Sequence, residues 1–281
     1  MHIQSGSMAG MAESLSLPLR ACVMWSGWRR LRRWALRLAG LGTLVVVWQT
    51  LSSLGYLNTL LFPPPSAVAA TLIDLLRDGS LLENSWASIQ RVLAGFAMAS
   101  IVGIAFGILL GWSELASEVL KPIIEVIRPI PPIAWTPLAI LWFGVGNSPS
   151  YFLVFIGAVF PVFVNTYVAV RGIEKSQINA ALCLGARPML ILTDVIVPAA
   201  LPMIFPGLRI ALGVGWMCVV AAELIAAQSG LGYMIQQSRM MLMTSSVLAG
   251  MLTIGAIGYA ANSLMLMLER RVMRWRSEAV S

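Results

Sequence analysis

Arg91 and Glu223 are opposite charges set inside apolar runs. A charge left unpaired in hydrocarbon costs several kcal/mol, so each needs a partner or a task. Arg91 lies toward the outer part of its run and Glu223 toward the outer part of another. Their similar depth makes a buried ion pair the expectation, ahead of direct contact with a solute. Arg209, nearer the opposite end of its run, can attract an anion or extend its long stem to the interface; snorkelling is the simpler reading. Trp135, Thr136, Asn165, Trp216 and Met217 are candidates for lining a path, against the plain alternative that such side chains pack or form interfacial belts. Pro198, Pro202 and Pro206 recur at intervals of four and bring their missing N–H groups near one helix face. They form a candidate hinge or gate, or else a static bend.

Most enzyme chemistry lacks its materials here. His2 is the only histidine, and Cys22, Cys183 and Cys218 are odd in number and scattered without CxxC spacing, so neither a metal site nor a disulfide framework is expected. A P-loop needs a lysine directly after glycine to reach nucleotide phosphates. The two lysines, Lys121 and Lys175, follow Leu120 and Glu174. If ATP drives this protein, ATP and its Mg belong to another subunit, no cofactor is held in this chain, and a loop of this chain must touch that subunit.

The chain that positions these residues has 281 residues, 58% hydrophobic and 11% charged. Soluble domains carry about 25% charge. Several apolar runs reach the roughly 20 residues that cross a hydrocarbon core. The expectation is an all-α multi-pass membrane protein with six transmembrane helices. The first pass is Leu38 to Leu57 and the second Val92 to Ser113. Two more lie in the uncharged stretch from Pro129 to Val170, with Gly144 to Ser150 as their turn. The fifth is Leu201 to Gln228, and the sixth lies within Met240 to Leu268 after a polar loop, Ser229 to Arg239. The prolines of Leu61 to Ser85 predict an outer segment with a short amphipathic helix. The net charge of +7 sits mostly beside spans and points to the membrane surface and its lipid, with no nucleic-acid partner. Under the positive-inside bias both termini are cytoplasmic, and only Arg77 and Arg239 fall in outer loops. The organisation is then a basic tail over 1–33, a transmembrane domain over 34–269 and a second basic tail over 270–281.

The cytoplasmic loop of about 172–197 contains "NAALCLGARPMLILTDVIVP", Asn179 to Pro198. Ile178 to Leu184 predicts a short helix with Ala180 and Ala181 permitting close approach, Gly185 ending it and Pro188 just beyond. On physics alone, a plain amphipathic helix lying on the bilayer is an equal reading. The spacing resembles the cytoplasmic signature of ABC-importer permeases: Glu-Ala-Ala, three residues, Gly, nine residues, Ile-x-Leu-Pro. Here it stands as Asn179-Ala180-Ala181, Gly185 and Val195-Ile196-Val197-Pro198, with Asn in place of the Glu and Val in place of the closing Ile and Leu. "RPIPPIAWTPLAILWFGVGN" (Arg128 to Asn147), "LPMIFPGLRIALGVGW" (Leu201 to Trp216) and "AAELIAAQSGLGYMI" (Ala221 to Ile235) are similar to the aliphatic-sulfonate, taurine and nitrate branch.

The resemblance implies the type I ABC importer permease fold and an inner membrane of a bacterium. It implies a homodimer, each copy resting its loop (Asn179, Ala180, Ala181, Gly185, Pro198) on one ATP-binding subunit, with an extracytoplasmic substrate-binding protein delivering the solute. The solute implied is a small anion, an aliphatic sulfonate or taurine first; nitrate, bicarbonate or an aromatic carboxylate stay open. An ion-coupled secondary transporter is the alternative of a different class.

Overall fold

A computed structural model describes residues 39–40, 42–56 and 58–273, all-helical wherever regular structure forms. The basic tail over 1–33 lies outside the described residues, as does most of the one over 270–281. So do Leu38, Leu41 and Leu57 of the expected first pass, the rest of which contains α1 (residues 42–53). In this N-terminal unit, Gln49 Oε1 accepts from the Ser66 N–H at 3.2 Å and the Ser52 hydroxyl donates to the Phe62 carbonyl at 3.1 Å.

The second unit begins within α2 (Pro65–Arg77), the amphipathic helix expected after the prolines. Then come α3 (Ser80–Trp112), α4 (Glu114–Ile127), a 3-10 turn (Pro132–Trp135), α5 (Thr136–Phe143) and α6 (Ser148–Arg171). The chain continues through α7 (Lys175–Cys183), α8 (Pro188–Leu190), a π-helical turn (Ile191–Ile196), α9 (Val197–Ala226), α10 (Leu231–Met240) and α11 (Thr244–Val272).

Four of these helices are long and apolar enough to cross a membrane: α3, α6, the continuous stretch Pro188–Ala226, and α11. The α4–α5 pair qualifies as a fifth if its 85° bend is counted within one pass. Packing register shows which way it runs. Small residues of α3 meet α6 at intervals of four. A Cβ on Gly95, Gly103, Gly107 or Gly111 would stand 2.6, 2.9, 2.5 or 2.6 Å from Val154, Val162, Thr166 or Val170. Backbones this close suit membrane helices, whose association depends on packing because lipid offers no hydrophobic contrast. Both numbers rise together, so α3 and α6 are parallel, and the segment between them must return the chain to the end where α3 began. Its contacts trace that return: Arg171 is 3.7 Å from Glu114, Lys121 lies over the Tyr167 ring, and Trp135 packs edge-on to Phe152. The returning segment is therefore a broken helix that begins at Glu114. Pro129, Pro131 and Pro132 supply the break, since none can donate the N–H that would continue α4.

Two expectations are corrected. The helix expected from Leu201 begins at Pro188. Pro198 has no N–H for the Asp194 carbonyl, and the chain answers with the wider π turn, in which the Val197 N–H donates to the Leu192 carbonyl. The loop Ser229 to Arg239 is largely α10, started by Gly230 at φ 107. The acidic segment after Trp112 is the first turn of α4, where the Ser113 hydroxyl accepts from the Ala116 N–H at 3.3 Å.

Candidate functional site

Three places along the α6–α9 core hold the chemistry. At the end where α6 starts and α9 finishes, Arg91 and Glu223 are 2% and 1% exposed and meet at 2.5 Å. The guanidinium also donates to the Ser229 carbonyl (2.7 Å), the Ser229 hydroxyl (2.5 Å) and Asn147 Oδ1 (2.6 Å). Glu223 accepts from the Ser88 hydroxyl (2.8 Å) and the Gly232 N–H (2.9 Å), while Ser88 in turn accepts from the Leu231 N–H (2.9 Å). Such completeness is what a buried pair requires, because desolvation otherwise exceeds the attraction. The α9–α10 turn is built around the pair. A Cβ on Gly230 would lie 2.3 Å from Glu223 Oε1, and one on Gly232 would lie 2.7 Å from the Glu223 Cβ. Sequence reasoning brought Arg91 and Glu223 together by depth, but Ser88, Asn147, Ser229 and the two glycines carried no signal of their own.

At the opposite end lies the loop. Gly185 has φ 80, its N–H donates to the Leu182 carbonyl (2.9 Å), and the Ala186 N–H donates to the Ala181 carbonyl (3.0 Å). These two bonds make a Schellman C-cap, and the left-handed φ favours glycine. Ala181, Ile178, Ala186, Leu192 and Val195 pack inward against a core of Ala169, Val170, Ile191, Ile196, Ala200 and Ile204. Asn179 and Ala180 face outward with Leu182, Leu184, Met189 and Leu190. The two alanines thus divide their duties, Ala181 anchoring the turn and Ala180 belonging to its exposed face. Pro198 is exposed at the first turn of α9. Beside this end, Glu114, Ser117, Glu118, Lys121, Glu125, Tyr167 and Arg171 line a polar pocket of about 520 Å³.

Midway between the two ends is a cavity of about 340 Å³. Gly157, Phe160, Pro161, Val164 and Asn165 of α6 line it, with Ile210 and Val214 of α9 and Arg128, Ile130 and Pro132 from the break after α4. Of the residues expected along a path, Asn165 alone lines this cavity. Trp135 packs on Phe152 one turn beyond it. Thr136 is buried, its hydroxyl donating to the Ile133 carbonyl at 2.7 Å, and the Trp216 indole N–H donates to the Ile254 carbonyl of α11 at 3.1 Å. Met217 is 72% exposed on the outside of α9. Pro202 and Pro206 are half-buried within α9. Arg209 does not line the cavity; it forms an ion pair with Glu269 near the end of α11. That partner follows from α9 and α11 running antiparallel, which the sequence does not display.

The comparisons with known proteins agree with one another. The family described as binding-protein-dependent transport system inner membrane component matches residues 103–274. The chain is 41% identical over 238 residues to a putative ABC transporter permease protein of Methanocaldococcus jannaschii, covering 83% of this chain and 88% of that protein. It is 38% identical over 256 residues to the taurine transport system permease protein of Escherichia coli, covering 89% of this chain and 93% of that one. Among solved structures, a methionine ABC transporter in inward-facing conformations shares the fold with a TM-score of 0.59 at 20% identity, over 69% of this chain and 95% of that chain.

Proposed function

Because the chain belongs to the family of binding-protein-dependent transport system inner membrane components, we propose that it forms the translocation path of an ATP-driven importer for a small anion, an aliphatic sulfonate or taurine first. At the level of the family it is a multi-pass inner-membrane transport component and not an enzyme. The finer reading is ours. Two copies enclose the path, an extracytoplasmic binding protein supplies the solute, and six passes leave both termini in the cytoplasm. Asn179, Ala180 and Gly185 rest on a separate ATPase subunit that holds ATP and Mg.

One observation carries this reading: the exposed α7–Gly185 turn is packed on the base of a helix that runs unbroken from Pro188 to Ala226. ATP-driven movement of the turn would therefore reach the Arg91–Glu223 end through a single continuous helix, rocking one helix group about a site at mid-depth. The solute class rests on the 38% identity to a taurine permease.

The test is gentle purification from native membranes, followed by reconstitution with whatever accompanies the chain. The expected result is a P-loop ATPase at about one copy per chain and ATP-dependent uptake of radiolabelled taurine or ethanesulfonate. Uptake of nitrate in their place would keep the importer and change the solute. Accumulation driven by an ion gradient without an ATPase would overturn the proposal in favour of secondary transport.

A further inference from the structure

We propose that Arg128 is the anion-binding residue of a solute station halfway across the membrane, in the cavity between the α4–α5 break, α6 and α9. This deepens the importer reading and rests on it for the solute class, sulfonate or carboxylate with a short apolar body.

Position is the first argument. Gly157 to Asn165 lie in the middle of α6 (Ser148–Arg171), and Ile210 and Val214 in the middle of α9 (Val197–Ala226), so the cavity they share with Arg128 is at mid-depth. Charge is the second. Arg91 and Arg209, which lie within crossing helices away from their ends, are each neutralised by a carboxylate, Glu223 and Glu269. Among the described residues no carboxylate pairs with Arg128. An uncompensated guanidinium at this depth is costly, and such charges in membrane proteins mark solute paths. The fold makes this one tolerable by setting it at the C-cap of α4, whose terminal carbonyls favour a cation.

Chemistry is the third. A guanidinium presents a planar fork of donors that matches two oxygens of a sulfonate or carboxylate. Phe160, Val164, Ile210, Val214 and Ile130 supply apolar wall for a carbon chain, and Asn165 adds an amide. The volume of about 340 Å³ admits a small solute.

The test uses the full chain with its ATPase and binding protein in proteoliposomes. Cys22, Cys183 and Cys218 are replaced by Ser, and Val164→Cys reports on the cavity. Its labelling is compared for a sulfonated and a trimethylammonium methanethiosulfonate reagent. With Arg128 present, the sulfonated reagent should react about five-fold or more faster than the cationic one, because a positive site concentrates anions. Arg128→Gln should bring the ratio near one and lower sulfonate uptake about ten-fold or more, and Arg128→Lys should restore part of both. Asn165→Asp, which adds a negative charge to the same wall, should also lower the ratio and stands in should Arg128→Gln fail to assemble. The same ratio in every variant would overturn the proposal, as would failure of both reagents to reach Val164→Cys. The importer reading fails separately, through absence of ATP-driven anion uptake in the unsubstituted complex, and that outcome leaves the labelling ratio unaffected.

Discussion

At one end of the bundle Arg91 is 2% exposed and no buried side-chain atom of its network lacks a partner, while at the other Leu184 is 89% exposed on a turn that carries Leu182, Met189 and Leu190 beside it. The first region spends polar groups where water is absent and satisfies all of them internally. The second places apolar side chains on its surface and satisfies only its backbone, through the Gly185 cap. A polar network closed on itself holds shape. An exposed apolar patch on a well-capped turn is suited to receiving a partner. The difference separates residues whose loss should damage folding from residues whose loss should damage coupling alone.

Removing one member of the closed network should have the largest effect. Arg91→Ala or Glu223→Ala strands a buried charge and should cost about 3–5 kcal/mol, read as a lowered unfolding midpoint in detergent and poor recovery from membranes. The charge-reversed double variant, Arg91→Glu with Glu223→Arg, should be more stable than the worse single reversal yet short of the original. The Gly232 N–H and Ser88 hydroxyl donate only toward position 223, and the Ser229 carbonyl accepts only from position 91. A double variant no better than the worse single would deny that pairing matters.

Next comes the helix seam. Gly107→Leu would press on Thr166, whose Cβ already lies 2.5 Å from where the new Cβ would be. Overpacking of this kind should cost about 1–3 kcal/mol by the same thermal measurement. Gly185→Asp should cost about 1 kcal/mol, since its Cβ meets open space and a short polar side chain tolerates the left-handed backbone. Even so, it should abolish ATP-driven uptake and ATPase co-purification with the dimer intact. Normal uptake by that variant would sink the coupling role of the turn. Smallest in stability is Leu184→Ser, within about 0.5 kcal/mol, and its defect should appear only as weaker retention of the ATPase. An unfolding shift as large as that of Arg91→Ala would erase the contrast between the two ends.

The sequence displayed what is local or what depth alone decides. The Gly185 turn was legible because a Schellman cap is written in consecutive residues, and Arg91 with Glu223 because two charges at similar depth in apolar runs have few alternatives. The partner of Arg209 was hidden, because Glu269 is distant in sequence and becomes near only once α9 and α11 pack. The helix at Leu231–Met240 was hidden by polar composition, which ordinarily marks a loop; Gly230 starts it and Leu231, Met234 and Ile235 bury one face. Arg128 stood in plain view as the last charge before a long uncharged stretch. The cavity it lines needs three separate segments, and no pattern along the chain announces that meeting. The small-residue repeat from Gly95 through Ala99, Gly103, Gly107 and Gly111 was present as spacing, but its match to the equally spaced Val154, Ala158, Val162, Thr166 and Val170 is a property of the pair.

The π turn at Ile191–Ile196 also sets a phase. The helix from Pro188 to Ala226 has 39 residues, about 58 Å of rod, so its two ends keep a fixed angular relation. The wide turn adds in effect one residue to an α-helical path, and each residue turns such a rod by about 100° and lengthens it by about 1.5 Å. Deleting Thr193 would remove no core side chain, yet it would swing the Gly185 turn around the axis relative to Glu223, like a camshaft refitted one tooth out. For this stretch of chain, length is as constrained as composition, and a single-residue deletion here should be harder to accommodate than one at the exposed turn Met241 to Met243.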